Sequence, residues 1–322
     1  EGIASTAKHF IGDGGTLRGD DRGETTLPSD ELIAGHGQGY VEAIDKDVMS
    51  VMSSFNSWYG DKIHGSKAIL TDLLRGEMGF EGMVVSDWNG IGEVAGCTND
   101  DCAQAINAGV DMLMVPAEWK SLYHNTLAQV ASGEIPEARI DEAVSRILVM
   151  KIKAGLFTRG LPSTFAAEYR NQIGHPEHRA LAREAVRKSQ VLLKNSDNLL
   201  PLHADRRFLV AGPGADNIGQ QSGGWTISWQ GTGNANTDFP GAMSIFEGLT
   251  QQIESAGGSV TTDETAEVDV AIFVFGETPY AEMQGDVYSV AWYDQRAERS
   301  RMRALKQRGI PVVAVFLTGR PM

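Results

Sequence analysis

Cysteine, long apolar runs and positive charge are what this sequence is short of, and each shortage removes a class of protein. Two cysteines in 322 residues cannot build a disulfide scaffold, and Cys97 and Cys102 stand five apart, which is not the CxxC spacing of redox and zinc motifs. Separated by Thr-Asn-Asp-Asp in a polar segment, the two thiols can close a small disulfide, which implies an oxidising compartment, or stay reduced. No run approaches the roughly 18 apolar residues that a membrane span needs. The opening residues Glu1-Gly2-Ile3-Ala4 have none of the parts of a signal peptide and do not look like a natural start. Lys and Arg number 28 against 42 for Asp and Glu, a net charge of −14. That balance argues against a nucleic-acid or anionic-membrane surface and would repel a polyanionic substrate. His175 and His178 are the one closely spaced histidine pair, and without a third ligand nearby they predict no metal site. The turn Gly212-Pro213-Gly214-Ala215-Asp216 lacks the third glycine of a dinucleotide fingerprint and reads as a structural turn; no cofactor is expected.

What is present is an ordinary globular composition, 42% apolar and 22% charged, in a chain long enough for two domains or one large barrel. The run Gly82-Met83-Val84-Val85-Ser86-Asp87-Trp88-Asn89-Gly90 reads as a short strand buried on both faces, breaking off into a loop. Around it, strand-like runs at Ile3–Ile11, Asp47–Phe55 and Gly109–Pro116 alternate with helical spacing at Ser29–Val41, Lys67–Met78, Ala103–Asn107, Glu118–Ser132 and Pro136–Ala154. Such alternation predicts βαβ units and a parallel sheet of roughly four strands, half of a closed eight-stranded barrel. Residues 1–158 are therefore expected to be the second half of a TIM-like barrel, and residues 159–177 a linker. From Glu177 a helix should run to Lys194-Asn195. A second alternation follows, with strands at Arg207–Pro213, Val268–Phe275 and Val312–Leu317 and helices at Ser244–Gln252 and Asp294–Gln307. Residues 178–322 are expected to form an α/β sandwich domain with a mainly parallel sheet, truncated at its C-terminus.

Strand ends at the carboxyl edge of such sheets are where ligands bind, which marks Asp87 beside the indole of Trp88, and Lys8-His9 at the end of the first strand. In the second domain the loop Gly276-Glu277-Thr278-Pro279-Tyr280-Ala281-Glu282-Met283-Gln284-Gly285-Asp286 carries three carboxylates just past a strand. Another loop, Gly223-Gly224-Trp225-Thr226-Ile227-Ser228-Trp229-Gln230-Gly231, presents two tryptophans. Glycoside hydrolysis needs two carboxyl groups flanking a bond, one of them an acid, with hydrogen-bonding groups and an aromatic wall for the sugar.

Those strings, with Lys8-His9-Phe10-Ile11-Gly12-Asp13-Gly14-Gly15-Thr16 and Val84-Val85-Ser86-Asp87-Trp88, occur in the order found in glycoside hydrolase family 3. The chain resembles in particular its two-domain exo-β-glucosidase and β-glucan glucohydrolase branch, from residue 1 to Arg320. The resemblance implies Asp87 as catalytic nucleophile and Glu282 as acid/base, with Glu277 the competing choice. It further implies Lys8, His9 and Met52 as substrate contacts, and Trp88 and Trp229 as the aromatic pair around the next sugar. Phe55 stands where relatives carry a Tyr near the nucleophile, and Glu93 where plant-type glucohydrolases carry an Arg. The family's sugar-binding Asp and Arg from early barrel strands have no counterpart here.

The activity implied is retaining, exo-acting hydrolysis of β-linked gluco-oligosaccharides or β-glucosides, in a secreted or periplasmic protein. Two alternatives remain open at the level of sequence. The chain could act as a carbohydrate-binding or inactive fragment, or as a barrel aldolase forming a Schiff base on Lys8.

Overall fold

Met83, Val84 and Val85 have nothing polar to offer water, and the chain buries all three in the strand Met83–Val85. The computed structural model of the chain describes residues 3–292 and 296–322. Within them the chain divides into two compact units, Glu1–Arg183 and Glu184–Met322, the division falling inside the helix Pro176–Ser189.

The first unit is built on a parallel sheet in the order Thr6–Phe10, Ser50–Ser53, Met83–Val85. In its register Phe10 stands opposite Ser53, and Met52 opposite Val85. Helices Gln38–Asp45, Ala103–Ala108, Trp119–Ser132 and Glu137–Lys153 accompany the sheet. One core holds Phe10, Val51 and Val84 from the strands and Leu70, Leu73 and Leu74 from the helical segment Ala68–Glu77. The expected strand Gly109–Pro116 is reduced to a parallel bridge between Met112 and Val85. Side chains explain the reduction. Asp111 Oδ2 accepts the Val84 N–H (2.9 Å) and Ser86 Oγ accepts the Met114 N–H (2.7 Å), displacing two backbone rungs. The fourth segment is still parallel and still in place, held by Asp111 N–H to Val84 O (2.8 Å) and Ser86 N–H to Met112 O (2.9 Å).

Asp111 is also the most heavily paired carboxylate of this unit. Its fully buried side chain meets Arg75 (2.6 Å), Arg139 (2.6 Å) and Arg146 (3.1 Å). Burial lowers the Arg75 pKa to about 10, against the pull of Asp111 in the other direction.

The expected linker is not plain loop: Pro162–Phe165 and Ala166–Gln172 are short helical turns. The helix that follows stops at Ser189, short of the expected Asn195, and its Leu181 and Val186 are exposed. Both belong to the helical pattern Leu181, Ala185, Val186 and Ser189, and all four residues are exposed.

The second unit has a four-stranded, all-parallel sheet in the order Val312–Leu317, Val270–Gly276, Arg207–Ala211, Ser259–Thr261. Both faces are covered: Phe208, Val210, Ile272 and Val274 pack on one side, Leu209, Ala211, Phe273 and Phe275 on the other. This explains the unbroken apolar run in the central strand. The helix at Ile245–Ser255 starts at a capping box in which Ser244 and Glu247 bond each other's backbone N–H. Of the helix expected over Asp294–Gln307, Arg296–Gln307 is observed, while Asp294 and Gln295 lie outside the described residues. Both units are thus α/β with parallel sheets, the first part of a β/α barrel and the second an α/β sandwich. No described helix is long and apolar enough to cross a membrane.

Candidate active site

In the first unit, the carboxyl edge of the sheet gathers the residues singled out from the sequence. Asp87 follows the buried strand directly and is held from three sides. Its N–H donates to Nε2 of His64 (2.9 Å), its Oδ1 accepts the Trp88 N–H (2.7 Å), and its Oδ2 lies 3.4 Å from His9 Nε2. The Asp87 side chain is 15% exposed, enough for one face to reach a ligand. His9 also approaches Asp13 at 3.8 Å, so the imidazole stands between two carboxylates. Lys8 is exposed, Met52 is half-buried on the neighbouring strand, and Trp88 is 59% exposed. An indole that open, beside a partly sheltered carboxylate, offers an apolar wall to a sugar ring.

His64 is not among the residues that the sequence singles out, because a lone histidine in Lys62-Ile63-His64-Gly65 carries no pattern. The structure buries it completely and lets it accept a backbone N–H. Burial lowers its pKa to about 4; the charge of Glu93 works the other way, and Lys62, Arg22 and His9 reinforce the burial. The ring is therefore neutral near pH 7, with the proton on Nδ1, which has no hydrogen-bond partner among the described residues. Gly90 makes room for it, since a Cβ there would come within 2.3 Å of Nε2.

Phe55 packs against His64, with ring centroids 5.6 Å apart, and carries the Arg22 guanidinium 3.9 Å over its own face. Glu93 is ion-paired to Arg22 and, at 2.9 Å, to Lys62. The two positions that depart from the family pattern thus belong to one cluster, in which an acid at position 93 has found two bases. Cys97 and Cys102 are disulfide-bonded just beyond it, their Cα atoms 4.9 Å apart.

In the second unit the acidic loop and the tryptophan loop are fastened together. Gln230 donates from Nε2 to Glu282 O (3.0 Å) and accepts the Ala281 N–H at Oε1 (2.8 Å). Gly224 lies so close to Tyr280 O that a Cβ would sit 2.0 Å from it. Trp225 and Trp229 are both exposed, with ring centroids 6.2 Å apart, and the Trp225 N–H donates to Trp229 O. Glu282 and Trp229 are thereby brought onto joined loops.

Of the two candidate acids, Glu277 has its carboxyl engaged by three neighbouring side chains. Glu277 accepts from Arg320 Nη2 (2.7 Å), Thr318 Oγ1 (2.6 Å) and Tyr280 OH (3.3 Å). Burial raises its pKa, but the hydrogen bonds and charge of Arg320, with Thr318, outweigh that and hold the carboxyl below its ordinary range. Such a group keeps its charge and is a poor proton donor. Arg320 also bonds Gly285 O and lies 4.5 Å over the Tyr280 ring, so Glu277 and Arg320 brace the loop on which Glu282 sits. Arg320 too carries no signal in the sequence, as one basic residue past the last strand. His175 and His178 stand with rings 5.7 Å apart, and no group of three or more metal-binding side chains occurs among the described residues.

Residues 1–150 match the glycosyl hydrolase family 3 N-terminal domain, and residues 190–322 its C-terminal domain. A lysosomal beta glucosidase of Dictyostelium discoideum is 33% identical over 98% of this chain and 41% of its own length. A periplasmic beta-glucosidase of Salmonella typhimurium is 27% identical over 99% of this chain and 46% of its own. Among solved structures, an exo-1,3/1,4-beta-glucanase from a Pseudoalteromonas species superposes with a TM-score of 0.95 at 51% identity, covering 98% of this chain and 40% of that one. A beta-glucosidase from Listeria innocua, solved with glucose, gives 0.83 at 27% identity, covering 99% of this chain and 45% of that one. The chain spans less than half the length of these relatives.

Proposed function

Because this chain belongs to glycosyl hydrolase family 3, we propose that it carries the two catalytic carboxyl groups of a retaining, exo-acting β-glucosidase or β-glucan glucohydrolase. Asp87 is the nucleophile. It attacks the anomeric carbon of a nonreducing-end glucosyl unit as the bond from that carbon to the leaving oxygen breaks, and Glu282 delivers its proton to that oxygen. Water then attacks the same carbon, Glu282 takes a proton from it, and the bond to Asp87 breaks. Lys8, His9 and Met52 contact the first sugar, and Trp88 and Trp229 the next.

The observation that carries this reading is the setting of Asp87, whose carboxylate is sheltered and oriented by the Trp88 N–H and His9 at the end of a buried strand. Rigid placement of this kind is what covalent catalysis requires. The choice of Glu282 over Glu277 rests on the bonds that occupy Glu277. Substrates are inferred to be β-linked gluco-oligosaccharides or β-glucosides; the Listeria innocua relative was solved with glucose, and a mutant of it with laminaribiose. The disulfide supports a secreted or periplasmic setting. The two units are assigned as the second half of the barrel domain and the α/β sandwich domain, with residues 159–177 between them. That the chain spans less than half of its relatives favours a second reading, a fragment that binds sugar without turning it over.

The test is Asp87→Gly in the full-length protein that carries this sequence. Hydrolysis of an aryl β-glucoside should fall by at least about a thousandfold, and azide should restore turnover with release of the α-glucosyl azide. Retained hydrolysis near the starting rate would remove Asp87 from the role. Sugar binding without turnover by the 322-residue chain itself would establish the second reading, and its turnover of an aryl β-glucoside would dismiss it.

A further inference from the structure

Gln230 sits beside an exposed tryptophan yet is itself buried, at 9% exposure. Its side-chain amide makes two hydrogen bonds, both to backbone on the other loop. Nε2–H donates to the carbonyl of Glu282, and Oε1 accepts the N–H of Ala281, so the amide spans the main chain on either side of the Glu282 Cα. A paired amide contact of this type fixes both distance and plane, as a single bond cannot. The surroundings make it the central fastening of the loop. Glu277 and Gly285 are held by Arg320 at the two ends, and the contact of Gly224 with Tyr280 O keeps the tryptophan loop pressed against the segment. Between those ends, Gln230 grips the backbone at residues 281 and 282.

We propose that Gln230 is a positioning residue for the acid/base step: its amide sets the backbone of Glu282, and through it the place from which the carboxyl delivers its proton. Because Gln230 follows Trp229 directly, a sugar stacked on that indole and the acid are referred to the same short piece of chain. The inference rests on Glu282 being the acid, and the experiment separates the two claims.

The variant is Gln230→Glu in the full-length protein. It preserves shape and the acceptor for Ala281 N–H, but turns the donor to Glu282 O into a second acceptor. Gln230→Asn, which shortens the reach, is the companion should the first variant fold poorly. Each is assayed on two β-glucosides, one with a poor alkyl or sugar leaving group and one with a 2,4-dinitrophenyl group that departs without acid help. Labelling of Asp87 by 2,4-dinitrophenyl 2-deoxy-2-fluoro-β-glucoside reports an intact fold and nucleophile. The expected result is a fall in kcat/KM of about a hundredfold on the poor leaving group, within the range general acids supply, and of less than about fivefold on the activated one, with labelling retained. Equal losses on both substrates, or no loss on either, would overturn the proposal. Glu282→Gln is run beside it. If that variant discriminates between leaving groups and both Gln230 variants do not, only the positioning role falls. If Glu282→Gln itself shows no discrimination, the acid is elsewhere and both claims fall.

Discussion

The N–H of Asp87 donates to the neutral Nε2 of His64 across 2.9 Å, so the main chain at the nucleophile rests on a titratable ring. A charged imidazole has no acceptor left at Nε2, and protonation would replace that bond with two opposed N–H groups. With a folded pKa of about 4 against an ordinary value near 6.5, the unfolded chain takes up the proton first. The stability His64 contributes is complete above about pH 6.5 and lost as pH falls toward about 4, on the order of 3 kcal/mol in total. Denaturant melts of the full-length protein from pH 4 to 8 should show this slope. In His64→Gln, which keeps an acceptor and cannot titrate, the slope should flatten, and an unchanged slope would mean another group is responsible.

Glu277 should behave as a brace and not as an acid. Glu277→Gln loses the charge that Arg320 and Thr318 address and should cost about 2 kcal/mol. Since the carboxyl is held below its ordinary range, its contribution is present at neutral pH and vanishes as pH falls through that lowered value. On the leaving-group series Glu277→Gln should lose activity evenly. A loss concentrated on poor leaving groups would make Glu277 the acid after all.

Trp88 is expected to act in binding. With 59% of the residue exposed, little of the fold depends on it. Trp88→Ala should raise KM for a β-linked disaccharide roughly tenfold or more, the loss of about 1.5 kcal/mol of stacking, with kcat changed far less. Steady-state kinetics on a disaccharide and an aryl glucoside would check it. A fall in kcat at constant KM would point instead to a role in holding Asp87.

Asp111 offers the largest single change in stability. Removing a fully buried carboxylate that faces Arg75, Arg139 and Arg146 leaves like charges together in a dry place. Asp111→Ala should cost about 3–5 kcal/mol or prevent folding of the first unit. Asp111→Asn, which keeps an acceptor for the Val84 N–H, should be milder. Equal thermal stability of Asp111→Ala and the parent would show that the cluster contributes nothing net.

Much of this organisation is legible in the chain. Val312–Leu317 is delimited to the residue, because a β-branched run between Pro311 and Thr318-Gly319 has few other ways to fold. The end of the Asp87 strand is legible for the same reason. What stays hidden are single polar residues whose meaning depends on distant partners. His64 meets Asp87 across 23 positions, Gln230 meets Ala281 across 51, and Arg320 meets Glu277 across 43. No local period or spacing records such pairings. The Gly109–Pro116 segment fails as a strand for a related reason, since apolar pattern cannot tell that Asp111 and Ser86 will answer backbone groups with their side chains.

Those two substitutions also fix alignment. An ordinary parallel ladder can slide by two residues and remake every bond, because one amide is like another. Here the segment after Gly109 is keyed to its neighbour by a carboxylate at one position and a hydroxyl on the opposite strand, and any slide loses both. Asp87 comes one residue after that hydroxyl. Its height above the sheet is therefore specified by residue identity, like a lock with two wards. Ser86→Ala would remove one ward and leave the other, the carboxylate with its contacts, to hold that level.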